Sequence, residues 1–158
     1  MKKIISVFTA LILLLSIFAS CTDKKLAAAQ EDLIDQLGYS YYNELLILNR
    51  DLGQGHRVYY IFGFDDNVKI NELAICRFFT DDEMYESYKA SVEQRVQYKE
   101  CTILMDETEA LMFAYNDTVE LSDIKGLTFS EAKERYVSNG WTYVMKTVSS
   151  SSSADSGN

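Results

Sequence analysis

The run Val58-Tyr59-Tyr60-Ile61-Phe62-Gly63-Phe64 constrains this chain more than any other. Val58, Tyr60, Phe62 and Phe64 alternate with Tyr59, Ile61 and Gly63, and both sets are rather apolar. Aromatic and β-branched residues fit a pleated surface, where successive side chains point to opposite faces. A strand apolar on both faces belongs inside a sheet, so the run predicts a central strand.

The neighbouring segments predict the rest of such a sheet. Leu45-Leu46-Ile47-Leu48 is a compact apolar run, and Arg50 to Gly55 then makes a hairpin connection into the central strand. The surrounding stretch 39–49 is compatible with a helix capped by Ser40 as well, and the hairpin argument favours the strand. Asp65-Asp66-Asn67 turns the chain. Glu72 to Phe79 predicts another strand, with Leu73, Ile75, Arg77 and Phe79 on one face. Thr80-Asp81-Asp82-Glu83 has the form of a capping box, and Met84, Tyr88, Val92 and Val96 recur every four residues behind it. Cys101 to Met105 and Ala110 to Tyr115 predict two strands around a turn at 106–109. Thr128-Phe129-Ser130-Glu131 is a second capping box, starting a helix that runs to Gly140, and Trp141 to Val148 a last strand.

Towards the amino terminus, Leu26, Gln30, Leu33 and Leu37 form a helical stripe that Ile34 widens and Gly38 terminates. The expected order is α-β-β-β-α-β-β-α-β. Short links imply an α+β fold, a single domain over 26–148 with a mainly antiparallel sheet of about five to six strands and helices on one face. Residues 149–158 are polar and serine-rich and predict a disordered tail.

The chain opens differently. Met1-Lys2-Lys3 is basic, Ile4 to Phe18 is apolar apart from Ser6, Thr9 and Ser16, and Ala19-Ser20-Cys21 ends the run with two small residues and a cysteine. These are the three parts of a secretory signal, and the apolar run is shorter than the roughly 20 residues a membrane-spanning helix needs. The cysteine behind the small residues resembles the lipobox of bacterial lipoproteins, with Phe18 where that family prefers Leu. The resemblance implies a signal peptide over 1–20, a lipidated tether over 21–25 and an acylated Cys21. It also implies location at the bacterial cell envelope, on the extracytoplasmic side of a membrane that the lipid anchor holds. Two acyl chains hold a protein stably where one binds reversibly. The run from Glu72 to Arg95 is likewise similar to small bacterial lipoproteins of uncharacterised function.

Chemistry-bearing residues are sparse. The formal charge is −9, and it becomes more negative by two without Lys2 and Lys3, which argues against nucleic acid as a partner. His56 is the sole histidine and is expected in a surface turn beside Gly55, with no G-x-S-x-G element to support a triad. No His/Cys grouping has metal spacing. Cys76 and Cys101 remain as an even pair, flanking the helix that starts at Thr80. Adjacent strands would permit a disulfide, whereas an inserted strand would leave two core thiols. Leu121-Ser122-Asp123-Ile124, Gly126, Thr128, Glu131-Ala132 and Gly140 resemble the opening of the PASTA repeat. That repeat begins with a strand and is associated with peptidoglycan in cell-wall-sensing kinases and penicillin-binding proteins.

The expectation is a lipid-anchored binding or structural module without catalytic activity or cofactor, facing an envelope protein or a cell-wall ligand. An envelope hydrolase or its accessory subunit is one alternative, and an inhibitor or immunity-type lipoprotein masking a basic partner is another. A module should carry aromatic side chains on an exposed sheet face or groove; an enzyme should gather buried polar groups at a pocket. Cys21→Ala should move the protein from the detergent phase to the aqueous phase, or leave the precursor uncut. Wild-type partitioning and migration would refute the anchor.

Overall fold

The computed structural model describes residues 45–144, together with Ala28, which is helical and exposed. Cys21, the signal segment, most of the expected helix at 26–37 and the serine-rich tail lie outside the described residues. The described chain runs β1 (Leu45–Gly53), β2 (His56–Phe64), β3 (Ile70–Phe78), α1 (Asp82–Gln97), β4 (Cys101–Glu107) and β5 (Met112–Asp117). It continues through α2 (Thr118–Ile124), α3 (Phe129–Val137) and β6 (Thr142–Val144). The six strands form one sheet in the order β4-β5-β3-β2-β1-β6, and every paired neighbour is antiparallel.

The β1–β2 link is tighter than the expected stretch 50–55. Gly53 pairs with His56, so Gln54 and Gly55 alone make the turn, with φ of 54° and 76°. Two left-handed residues match the right-handed twist of the flanking strands. Gly55 is also required sterically, since a Cβ there would stand 1.7 Å from Thr80 Oγ1.

β2 takes the predicted inner position. Val58, Tyr60, Phe62 and Phe64 enter one core, and Tyr59 and Ile61 enter a second core across the sheet. The three described helices all pack on the first face, through Tyr85 and Val92 of α1, Ile124 of α2, and Ala132 and Tyr136 of α3. The four-residue stripe expected for α1 is inward at Met84 and Val92 but not at Tyr88 and Val96. Tyr85 replaces Tyr88 as the inward side chain, while Tyr88 and Val96 are exposed. Tyr85 turns inward because its hydroxyl donates to the Asp106 carboxylate of β4, which Lys89 also pairs with. Asp81, not Thr80, caps the helix by accepting from Met84 N at 2.9 Å.

Two features differ from the expected order. The helix α2 was absent from it, and residues 121–124, a strand in the PASTA resemblance, form the end of that helix. In addition, β5 lies between β3 and β4. The expected capping box at Thr128 is present: Thr128 N donates to Glu131 Oε2 at 2.7 Å, and Glu131 N to Thr128 Oγ1 at 3.3 Å.

Asp117 joins three elements. It ends β5, caps α2 by accepting from Val119 N and Glu120 N at 3.1 and 3.0 Å, and receives Arg95 Nη1 and Nη2 from α1 at 2.8 and 3.1 Å. A bidentate guanidinium–carboxylate pair is geometrically specific as well as strong. Breaking it leaves one partner with its desolvation uncompensated. Asp117→Ala should cost about 3 kcal/mol in urea unfolding, with Asp117→Asn intermediate because it keeps a cap acceptor. A loss no larger than the roughly 1 kcal/mol of a simple cap would show that the ion pair contributes nothing.

Candidate functional site

The polar side chains that enter the helix-bearing face converge near one end of the sheet. Arg77 projects from β3 on that face, as Val58 does opposite it on β2 and Phe113 on β5. Its neighbours are set by the ladders: His56 begins β2 two residues before Val58, and Tyr115 follows Phe113 by two on β5. Strand alternation aims all three side chains the same way. Arg77 Nε donates to Tyr115 Oη at 3.1 Å, and Nη1 lies 3.1 Å from His56 Nε2. The Arg77 guanidinium carbon stands 5.3 Å from the Tyr88 ring centroid and 6.0 Å from that of Tyr115, within cation–π range.

His56 is thus not the surface-turn residue expected from its neighbouring glycine. The two-residue turn pulls it into the strand, where it is 3% exposed and stacks on Phe79 at 4.4 Å, with Tyr88 at 4.6 Å. Guanidinium has donors only, so Nε2 accepts and the imidazole is neutral with its proton on Nδ1. Burial first, and the Arg77 cation second, lower its pKa from 6.5 to about 4. Protonation would remove the acceptor and set two cations side by side.

Among the described residues no carboxylate pairs with Arg77; the ion pairs there use Arg57, Lys69, Lys89 and Arg95. Asn116 Oδ1 is the one buried side-chain polar atom without a partner among the described residues. The remaining guanidinium nitrogen, Nη2, has no hydrogen-bond partner among the described residues, and Arg77 is partly exposed. Arg50, exposed on β1, occupies the same ladder row two strands away, roughly 10 Å, and it too has no ion pair among the described residues. Tyr88, whose ring lies against Arg77, is exposed. An acidic chain thus presents two arginines and an exposed tyrosine on one side of its sheet.

A second aromatic group continues the face towards α3. Tyr60 contacts Trp141 at 4.4 Å and Tyr136 at 5.6 Å between ring centroids, and Tyr136 Oη donates to Glu120 Oε1 at 3.3 Å. Burial, then Glu120, raises the pKa of both tyrosines, which keeps them neutral donors.

The cysteine pair does not come together. Cys76 lies opposite Ala114 in the second core, and Cys101 opposite Asp117 in the first, so one strand separates them and they face opposite sides. Both thiols are free and buried. Burial raises both, Cys101 to about 11, so neither is a ready nucleophile. Among the described residues no group of three His, Cys, Asp or Glu is placed to hold a metal.

The His56 shift has a sign that can be checked. Unfolded chain takes up a proton near pH 6.5 that folded chain does not accept until about 4. Its contribution to stability is full above 6.5 and is lost as pH falls towards 4. The single histidine resonance should titrate near 4 in folded protein, and His56→Asn should lose less stability than wild type between pH 6.5 and 4. A midpoint near 6.5 would refute the buried acceptor role. No family model matches the chain, and neither the characterised proteins nor the solved structures compared with it yield a match.

Proposed function

We propose that the protein is a lipid-anchored extracytoplasmic binding module of the bacterial cell envelope, without catalytic activity, and that it holds an anionic group of its ligand at Arg77. The observation that carries the binding reading is the Arg77 guanidinium. It is half-buried, held by two uncharged partners, and has one nitrogen left for an acceptor. His56 and Tyr115 are neutral, so neither cancels the guanidinium charge. A carboxylate or phosphate would complete the arrangement through a charge-assisted hydrogen bond. Arg50 supplies a second positive charge in the same ladder row, and Tyr88 supplies apolar contact for whatever carries the anion.

The anchor rests on Ala19-Ser20-Cys21 and the apolar run before it. Among the described residues no helix is long and apolar enough to cross a membrane.

Inorganic phosphate and acetate, titrated separately into the mature domain, should shift the His56 ring resonance saturably. Arg77→Gln should weaken that effect about 10- to 100-fold, the range expected for a hydrogen bond to a charged group, and Lys125→Gln should leave it unchanged. Equal binding by wild type and Arg77→Gln, or no saturable shift in wild type, would refute the site.

A further inference from the structure

The second face of the sheet is apolar and buried, yet no described helix lies on it. Ile47, Tyr59, Ile61, Ala74, Cys76, Met112 and Ala114 form its core, and Leu45, Phe78, Leu104, Met105, Ala110 and Val144 pack around them. All of these belong to strands or to the β4–β5 turn. Ile61, Ala74, Met112 and Ala114 are each 0% exposed. Neighbouring strands shield a side chain from the sides but cannot close the space above a sheet, which takes a second layer. Asn116 Oδ1, on the same face by strand alternation, is likewise buried. Arg57, Tyr59 and Glu72, at alternate positions facing the same way, are all engaged by partners.

We infer that residues 26–37 of this chain are that layer, packed as an amphipathic helix across the second face. The inference goes beyond the ligand reading and does not depend on it, because Arg77 lies on the opposite face.

Four observations select this occupant. Leu26, Leu33 and Leu37 lie on one line at about 100° per residue, with Ile34 and Gln30 beside it. Ala28 is helical and exposed, and it falls about 180° from that line, where Glu31, Asp32 and Asp35 also fall. Ala28 alone is described there, and its exposure agrees with a leucine stripe turned inward. Connection is also satisfied: residues 38–44 can span up to about 25 Å, and Leu45, where β1 begins, already contributes to the second-face core. A helix of this length is about 18 Å long, close to the width of the four central strands. The carboxy-terminal alternative lacks the chemistry, since residues 149–158 contain serine, alanine, aspartate, glycine and asparagine.

The two free thiols report the two faces separately. In the mature chain carrying Cys21→Ser, both Cys76 and Cys101 should label slowly with a maleimide under native conditions. Leu33→Asp should accelerate labelling of Cys76 at least 10-fold while Cys101 stays protected. Leu33→Ala, a milder change that keeps the domain folded, should accelerate Cys76 severalfold with Cys101 unchanged. Unchanged Cys76 protection in both variants would overturn the inference. So would equal acceleration of both thiols in Leu33→Ala, which marks whole-domain unfolding instead of undocking. Protection of wild-type Cys76 that falls on dilution would assign the face to a second copy, and a gain in labelling on removal of residues 149–158 would assign it to the tail.

Discussion

The two-sided apolarity of β2 is the constraint on which the rest depends. Val58, Tyr60 and Phe62 on one side and Tyr59 and Ile61 on the other are all buried, so neither side of the strand can face water. Each buried apolar side chain of this size contributes about 1.5–3 kcal/mol relative to exposure, and β2 supplies them to both faces. Neighbouring strands on either edge and a layer above each face follow from that one sequence. β3 and β1 flank β2 directly, and α1, α2 and α3 close one face.

The helices are placed by polar pins as much as by apolar contact. Tyr85 and Lys89 both reach Asp106, which fixes the rotation of α1 over β4. At the other end of α1, Arg95 grips Asp117, which in turn caps α2. Hydrophobic contact is non-directional and would tolerate several helix rotations. The two carboxylates leave one, and that choice sends Tyr88 outward over Arg77.

The same geometry makes the candidate site electrostatically unusual for an acidic protein. At long range the net charge of −9 repels anions, and salt screens that repulsion over about a Debye length. Within contact distance Arg77 and Arg50 reverse the sign. A ligand with one well-placed anionic group and an apolar body suits this combination better than a polyanion does. His56 supports the arrangement by staying neutral: its lone pair steadies the guanidinium without cancelling the charge.

Much of the architecture is legible in local sequence. The alternating run at 58–64, the strand with Leu73, Ile75 and Arg77 on one face, and the capping box Thr128–Glu131 are each dictated by neighbours a few residues away, through pleat and cap geometry. The failures share one cause. His56 looked like a turn residue because glycine flanks it, but two left-handed residues at 54 and 55 fit the whole turn before it. The α1 stripe departs from its four-residue repeat at Tyr88 because Tyr85 answers to Asp106, 21 residues away. For Cys76 and Cys101 the local sequence leaves an adjacent and an inserted strand both open, and the pairing of β5 between β3 and β4 decides for the inserted one. Arg77 had no visible partner in its own strand; only the sheet brings His56 and Tyr115 to it. Periodicity and caps are set by backbone geometry within a few residues, while the partners of a buried polar group are decided by which distant strands pair.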